Sequence, residues 1–207
     1  MTKAETKTET GKSGRPRCFC EDTALDAAMR VFWEKGYEGA SLTDLTEAMG
    51  INRPSLYATF GDKEALFRRV MERYAEGPAV YLQAALEEPT ARAVVKALFY
   101  GAVNLLGDTR NPRGCLSVQG ALASGADADP VRNALIEWRK QGEAAIQKRL
   151  KQAQAEGDLA KNINPGDLTR YIATVLNGLG IQAANGASKA EMARVAKIAL
   201  QNLNWGT

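Results

Sequence analysis

Apolar residues recur at three- and four-residue steps along most of this chain, the period of an amphipathic helix. Leu25, Ala28, Met29 and Phe32 form one such stripe, predicting a helix over 22–35 that Gly36 ends. Lys35 falls in its last turn, where the helix dipole prefers a cation. Trp33 lies off the stripe, which suits packing against a following domain. Ser41, with Asp44 three residues on, reads as a capping box. Leu45, Ala48 and Met49 continue as a small apolar face, and Gly50 supplies a left-handed stop. Asn52 caps the next short helix, with Pro54 in a first turn whose N–H groups lack partners anyway. Leu56 and Phe60, four apart, share its buried side. Arg53, Pro54, Ser55, Tyr57 and Ala58 point the other way. Asp62 then caps a helix through Leu66, Phe67, Val70, Met71 and Tyr74, closed by Gly77-Pro78.

Beyond that break the pattern stays helical. A short helix runs from Pro78 to Leu86, and Thr90 caps one whose apolar face, Val94 to Leu106, is too broad for a single contact. A small apolar segment follows from Cys115 to Leu122. Asp129-Pro130, cap then Pro, opens a long helix to about Glu156, and Asn164-Pro165 repeats the device. The helix it opens, to about residue 184, is apolar nearly all round and needs burial on several sides. Ser188 with Glu191 caps the last. No segment alternates like a strand, so the fold class is all-α: an N-terminal three-helix unit followed by a larger helical domain. The expected divisions are a polar arm at 1–17, a first domain at 18–77 with its central motif at 41–60, and a second domain at 78–207.

Two short helices joined at a Gly, the second presenting small, hydroxylic and cationic side chains, read as helix-turn-helix DNA recognition. A plain helical corner with a polar outer face carries the same pattern. More residues then match at fixed spacing: Ala27-Ala28, Phe32, Gly36-Tyr37, Ser41-Leu42-Thr43, Leu45, Ala48-Met49-Gly50-Ile51, Pro54-Ser55-Leu56-Tyr57, Phe60, Asp62-Lys63-Glu64 and Leu66-Phe67. With them the segment from Gly14 to about Glu76 resembles the DNA-binding domain of the TetR family of bacterial transcriptional regulators. The resemblance implies a homodimeric regulator, a repressor released from a palindromic double-stranded operator when a small-molecule effector enters the C-terminal ligand-binding and dimerisation domain. The expected DNA contacts are Ser41, Thr43, Arg53, Pro54, Ser55, Tyr57, Ala58 and Thr59, with Lys63 resembling a phosphate-contacting lysine of the family. Arg15 and Arg17 sit in an arm that either follows a phosphate strand or only solubilises. The long helix near 130–156 and the one near 165–184 are the expected dimer interface.

Charge supports DNA binding only mildly. Net charge is +3 over 207 residues. The first twenty residues carry five cations (Lys3, Lys7, Lys12, Arg15, Arg17) against Glu5 and Glu9, so the basic excess sits in the arm. Affinity must rest on few phosphate contacts per subunit, multiplied by symmetry. With 45% apolar and 25% charged residues, no membrane-length apolar run and no signal region, a cytoplasmic globule is expected, with no membrane partner. Histidine is absent, which removes the commonest general base and metal ligand. Cys18 and Cys20 lack a second ligand pair, so no metal and no cofactor are expected. No nucleophile has a plausible base, which argues against a helical enzyme. Phe99, Tyr100, Cys115, Trp138 and Tyr171 are candidate effector contacts, although each also fits core or interface. Cys115 opens a helix with Arg110 and Arg113 nearby, a setting that favours a thiolate. Arg113-Gly114-Cys115-Leu116 also resembles a Gly-Cys element of one branch of the family. Oxidation or alkylation of Cys115 is therefore an alternative switch, and a merely buried small thiol the other reading.

Overall fold

The computed structural model describes residues 20–120, 128–203 and 205. These form ten helices and no strand. They are α1 (Glu21–Gly39), α2 (Leu42–Met49), α3 (Arg53–Phe60), α4 (Lys63–Glu76), α5 (Tyr81–Leu86), α6 (Ala91–Leu106), α7 (Leu116–Gln119), α8 (Asp129–Ala155), α9 (Pro165–Ala184) and α10 (Lys189–Gln201).

Local chemistry sets most of the boundaries. Ser41 and Asp44 close a reciprocal capping box at α2, and Ser188 and Glu191 do so at α10. The side chains of Asn52, Asp62, Thr90 and Asn164 each accept from a first-turn N–H of the helix they precede. Gly36 takes φ 69° and breaks α1, so the regular helix stops where expected and one further turn reaches Gly39. Gly50 holds φ 67°, ψ 29°, the left-handed geometry that reverses the chain into the recognition turn. One start differs. Asp129 is the first residue of α8, not its cap, and Ala128 occupies the cap without a side-chain bond. Its carboxylate is 2.6 Å from Arg132 one turn on instead.

Two apolar cores follow. The first gathers α1, α2, α3 and α4 around Phe32, Leu45, Leu56 and Phe67, all fully buried. Phe67 meets Phe32 edge-on at 5.0 Å and Tyr37 at 5.5 Å between ring centroids. Leu116, Val131 and Leu135 also belong to this core, so the larger helical part closes it from below. The second core is built around α6, whose Val94, Val95, Leu98 and Phe99 are fully buried. α6 packs on α5, α9 and α10, which accounts for its broad apolar face. α9 is enclosed by α6, α8 and α10. No helix among the described residues is long and apolar enough to cross a membrane.

Candidate nucleic-acid interface and effector cavity

The short α3 divides cleanly. Leu56 and Phe60 are buried, whereas Arg53, Pro54, Tyr57, Ala58 and Thr59 are exposed and Ser55 is half-exposed. Tyr57 is 50% exposed, against the usual tendency of a tyrosine to cover its ring. Arg53 donates from Nη2 to Thr43 Oγ1 at 3.0 Å, tying the start of α3 to exposed Thr43 on α2. Arg53 makes no ion pair among the described residues, while its neighbours Arg68, Arg69, Arg73 and Lys35 all pair with carboxylates. A guanidinium without an ion pair among the described residues therefore sits on the outward face of α3. Ser41 is spent differently, its Oγ accepting from Asp44 N and donating to the Asp44 carboxylate. Lys63 opens α4 with Nζ 4.5 Å from the Tyr37 ring centroid, partly covered, and burial lowers its pKa.

A single segment of the larger part, residues 110–120, is bonded to α1 along its length. Trp33 Nε1 donates to Gly114 O at 3.0 Å, Tyr37 N to Gly120 O at 2.8 Å, and Arg30 Nη1 to Arg110 O at 3.1 Å. α4 joins through Tyr74, whose hydroxyl is 3.3 Å from Cys115 Sγ, while Sγ is 3.1 Å from Ser117 Oγ. Behind this segment lies a cavity of about 80 Å³ bounded by α4, α5, α6, α7, α8 and α9. Its polar lining is Tyr74, Tyr81, Cys115, Ser117, Arg139, Glu143 and Asn177, with Trp138 among the apolar neighbours. Burial pushes the Tyr74 and Tyr81 hydroxyls well above the ordinary phenol range, so both stay protonated donors. Arg139 is half-buried, donates to Ser117 O, and has its pKa lowered by desolvation.

Residues 24–70 match the family model for bacterial regulatory proteins of the tetR family, and residues 90–199 match the tetracyclin repressor-like C-terminal domain. The chain belongs to the TetR family. Its relatives there include the helix-turn-helix-type transcriptional repressor ComR of Escherichia coli K12, 34% identical over 190 residues, covering 91% of this chain and 90% of ComR. Another is the repressor BdcR of the same organism, 29% identical over 196 residues and 94% of each chain. Among solved structures, a cysteine-substituted form of the TetR family regulator CifR, complexed with 26-base-pair operator DNA, superposes with a TM-score of 0.88 at 41% identity. That match covers 92% of this chain and 100% of CifR. The protein is thus a transcriptional regulator, not an enzyme.

In this TetR-family member the expected DNA residues fall in one region, the α2–α3 face with Lys63 at its border. Arg15, Arg17 and Cys18 lie outside the described residues. Of the five expected effector contacts, Cys115 and Trp138 line the cavity. Phe99 does not reach it, being fully buried in the second core. Tyr100 turns to a surface groove beside Arg92 and Lys197. Tyr171 stands outside on α9, with its hydroxyl on Ala199 O at 3.4 Å. Tyr74, Tyr81, Arg139 and Asn177 were not expected there. Cys20 is exposed, and among the described residues no three His, Cys, Asp or Glu groups converge as a metal site.

Proposed function

We propose that the protein is a homodimeric repressor that grips a near-palindromic operator through α3 and lets go when a small molecule occupies the cavity behind Cys115. The outward face of α3 supports the first half. Small and hydroxylic side chains allow close approach to base edges, and Arg53 and Tyr57 supply a guanidinium and an amphipathic ring for bases or phosphates. CifR, similar over its whole length, is bound to operator DNA in its solved complex.

For the dimer, α9 and α10 supply the surface. Tyr171 (38% exposed), Ile181 (48%), Val195 (47%) and Ile198 (56%) leave apolar side chains in water on these adjacent helices. α8, expected to pair with α9, has no large exposed apolar side chain among the described residues, so α10 takes its place. A two-fold operator then requires the two α3 helices to lie about one DNA turn apart, roughly 34–36 Å.

The test begins with the genomic fragments that the purified protein retains. On the recovered site, Arg53→Ala and Tyr57→Ala should each weaken specific binding by about 1–3 kcal/mol per half-site, leaving helix content and oligomeric state unchanged. Equal gel-shift affinity for mutant and wild type would remove α3 from the interface.

A further inference from the structure

The cavity carries more information than its position. Its Cys115 thiol is already satisfied between Tyr74 and Ser117. Three other polar groups on its wall are not. The Tyr81 hydroxyl makes no hydrogen bond among the described residues, and neither does the Asn177 amide. Among the described residues Arg139 uses one of its five N–H donors, on Ser117 O, and has no carboxylate within ion-pair distance. Glu143, one turn along α8, also lines the cavity, but its ion pair is with Arg170 at 3.3 Å and it acts on Arg139 only at longer range.

A half-buried guanidinium without an ion pair in a mostly apolar site is electrostatically incomplete, because Glu143 offsets its desolvation only in part. Tyr81 is set in place by Gly101. The ring lies against α6 so closely that a Cβ there would come within 2.2 Å of Tyr81 Cδ2. The hydroxyl is thereby fixed as a donor on the same cavity that Arg139 lines.

Size narrows the ligand further. At about 80 Å³, smaller than the ~150 Å³ apolar cavity that takes benzene, the enclosed space admits only a small ligand, whose far end must extend outward. A neighbouring groove shares Ala79, Leu82, Trp138, Gly142 and Ile146 with the cavity and leads outward between α5 and α8. A Cβ at Gly142 would meet nothing within 4 Å, so the passage is open there. One guanidinium suits one negative charge, since a dianion would leave its second charge against apolar walls.

We propose that the cavity binds a short-chain organic monocarboxylate, its carboxylate on Arg139 and the Tyr81 hydroxyl and its alkyl chain against Ala79, Leu82 and Leu105. The proposal rests on the effector reading above and gives that effector a chemical class. It also gives a route to the DNA-binding part. An anion that draws Arg139 off Ser117 O loosens the turn whose Gly114 and Gly120 carbonyls hold Trp33 and Tyr37 on α1. To act, the acid must bind the loosened state more tightly than the operator-competent one.

The test is calorimetric titration of the full-length protein, without DNA and in a carboxylate-free buffer, with butanoate, pentanoate and hexanoate. Pentanamide serves as the neutral control of equal shape. The acids should bind, with pentanamide at least about tenfold weaker, as a charge-assisted bidentate pair requires. Arg139→Met should erase that preference, Arg139→Lys should keep part of it, and Tyr81→Phe should weaken the acids several-fold, all with unchanged circular dichroism. Equal binding of amide and acid, undiminished acid binding by Arg139→Met, or no binding by any of the three acids would overturn the assignment. Acid binding that leaves operator affinity unchanged would instead overturn the effector reading while the anion site stands. Loss of operator binding by the unliganded protein would count against the repressor reading alone.

Discussion

Asp44 shows how much a single residue settles in the recognition motif. Its carboxylate accepts from Ser41 N at 2.9 Å, from Ser41 Oγ at 2.7 Å and from Lys35 Nζ at 2.6 Å. It thereby caps α2 and pins that helix to the end of α1. The Lys35 contact, then the two bonds from Ser41, hold its pKa at about 2 against an ordinary 3.8. A depressed carboxylate pKa stabilises the fold above the unfolded value, and that contribution disappears as pH falls through the folded value. Denaturant midpoints of the wild type should therefore fall more steeply than those of Asp44→Asn between about pH 4 and pH 2, the two converging at the acid end. Parallel midpoints across that window would mean that the carboxylate adds nothing the amide cannot.

Elements were legible in the sequence wherever their causes are local. Capping boxes, Asx caps and a Gly stop act within four residues, so α2, α3, α4 and α10 could be placed from neighbours alone. The split of α3 into Leu56 and Phe60 against Arg53 and Tyr57 was equally local, which is why the DNA face was readable. The cavity was not, because its members come from six helices and are brought together by contacts of long sequence separation. Trp33 makes the difference concrete. Its place off the α1 stripe showed that it points elsewhere, but its partner, Gly114, lies 81 residues on. Trp33→Phe keeps a ring against Tyr74, 5.0 Å away, and removes only the N–H that Gly114 O accepts. Leaving that buried carbonyl bare should cost about 1–3 kcal/mol, read as a lower midpoint in urea unfolding with an unchanged slope. The same loss would weaken the joint between α1 and the 110–120 segment. Any carboxylate response of operator binding should then shrink in Trp33→Phe, even though the residue touches neither ligand nor DNA.

For the whole molecule, weak charge and exposed apolar surface lead to the same requirement. A net charge of +3, with most cations of the DNA-binding part already paired, leaves each subunit few phosphate contacts. Such a subunit binds tightly only when a second is tethered to it, since linking two half-sites multiplies affinity by about 10²–10⁴ without any new contact. The exposed apolar residues of α9 and α10 offer the tether. Single exposed apolar side chains are ordinary, but Tyr171, Ile181, Val195 and Ile198 share two packed helices joined by the Tyr171–Ala199 bond. Ile198→Glu sets a charge in the middle of that surface, where a two-fold axis would bring a second copy opposite it. The variant should sediment as a monomer at micromolar concentration, keep its helix content, and bind operator about a hundredfold or more weakly. Arg53→Ala should weaken operator binding by about 1–3 kcal/mol per half-site while remaining a dimer, so the two variants separate failure to pair from failure to read. Should Ile198→Glu remain dimeric, the subunits must meet on another face, and the spacing expected of the two α3 helices would have to be built from there.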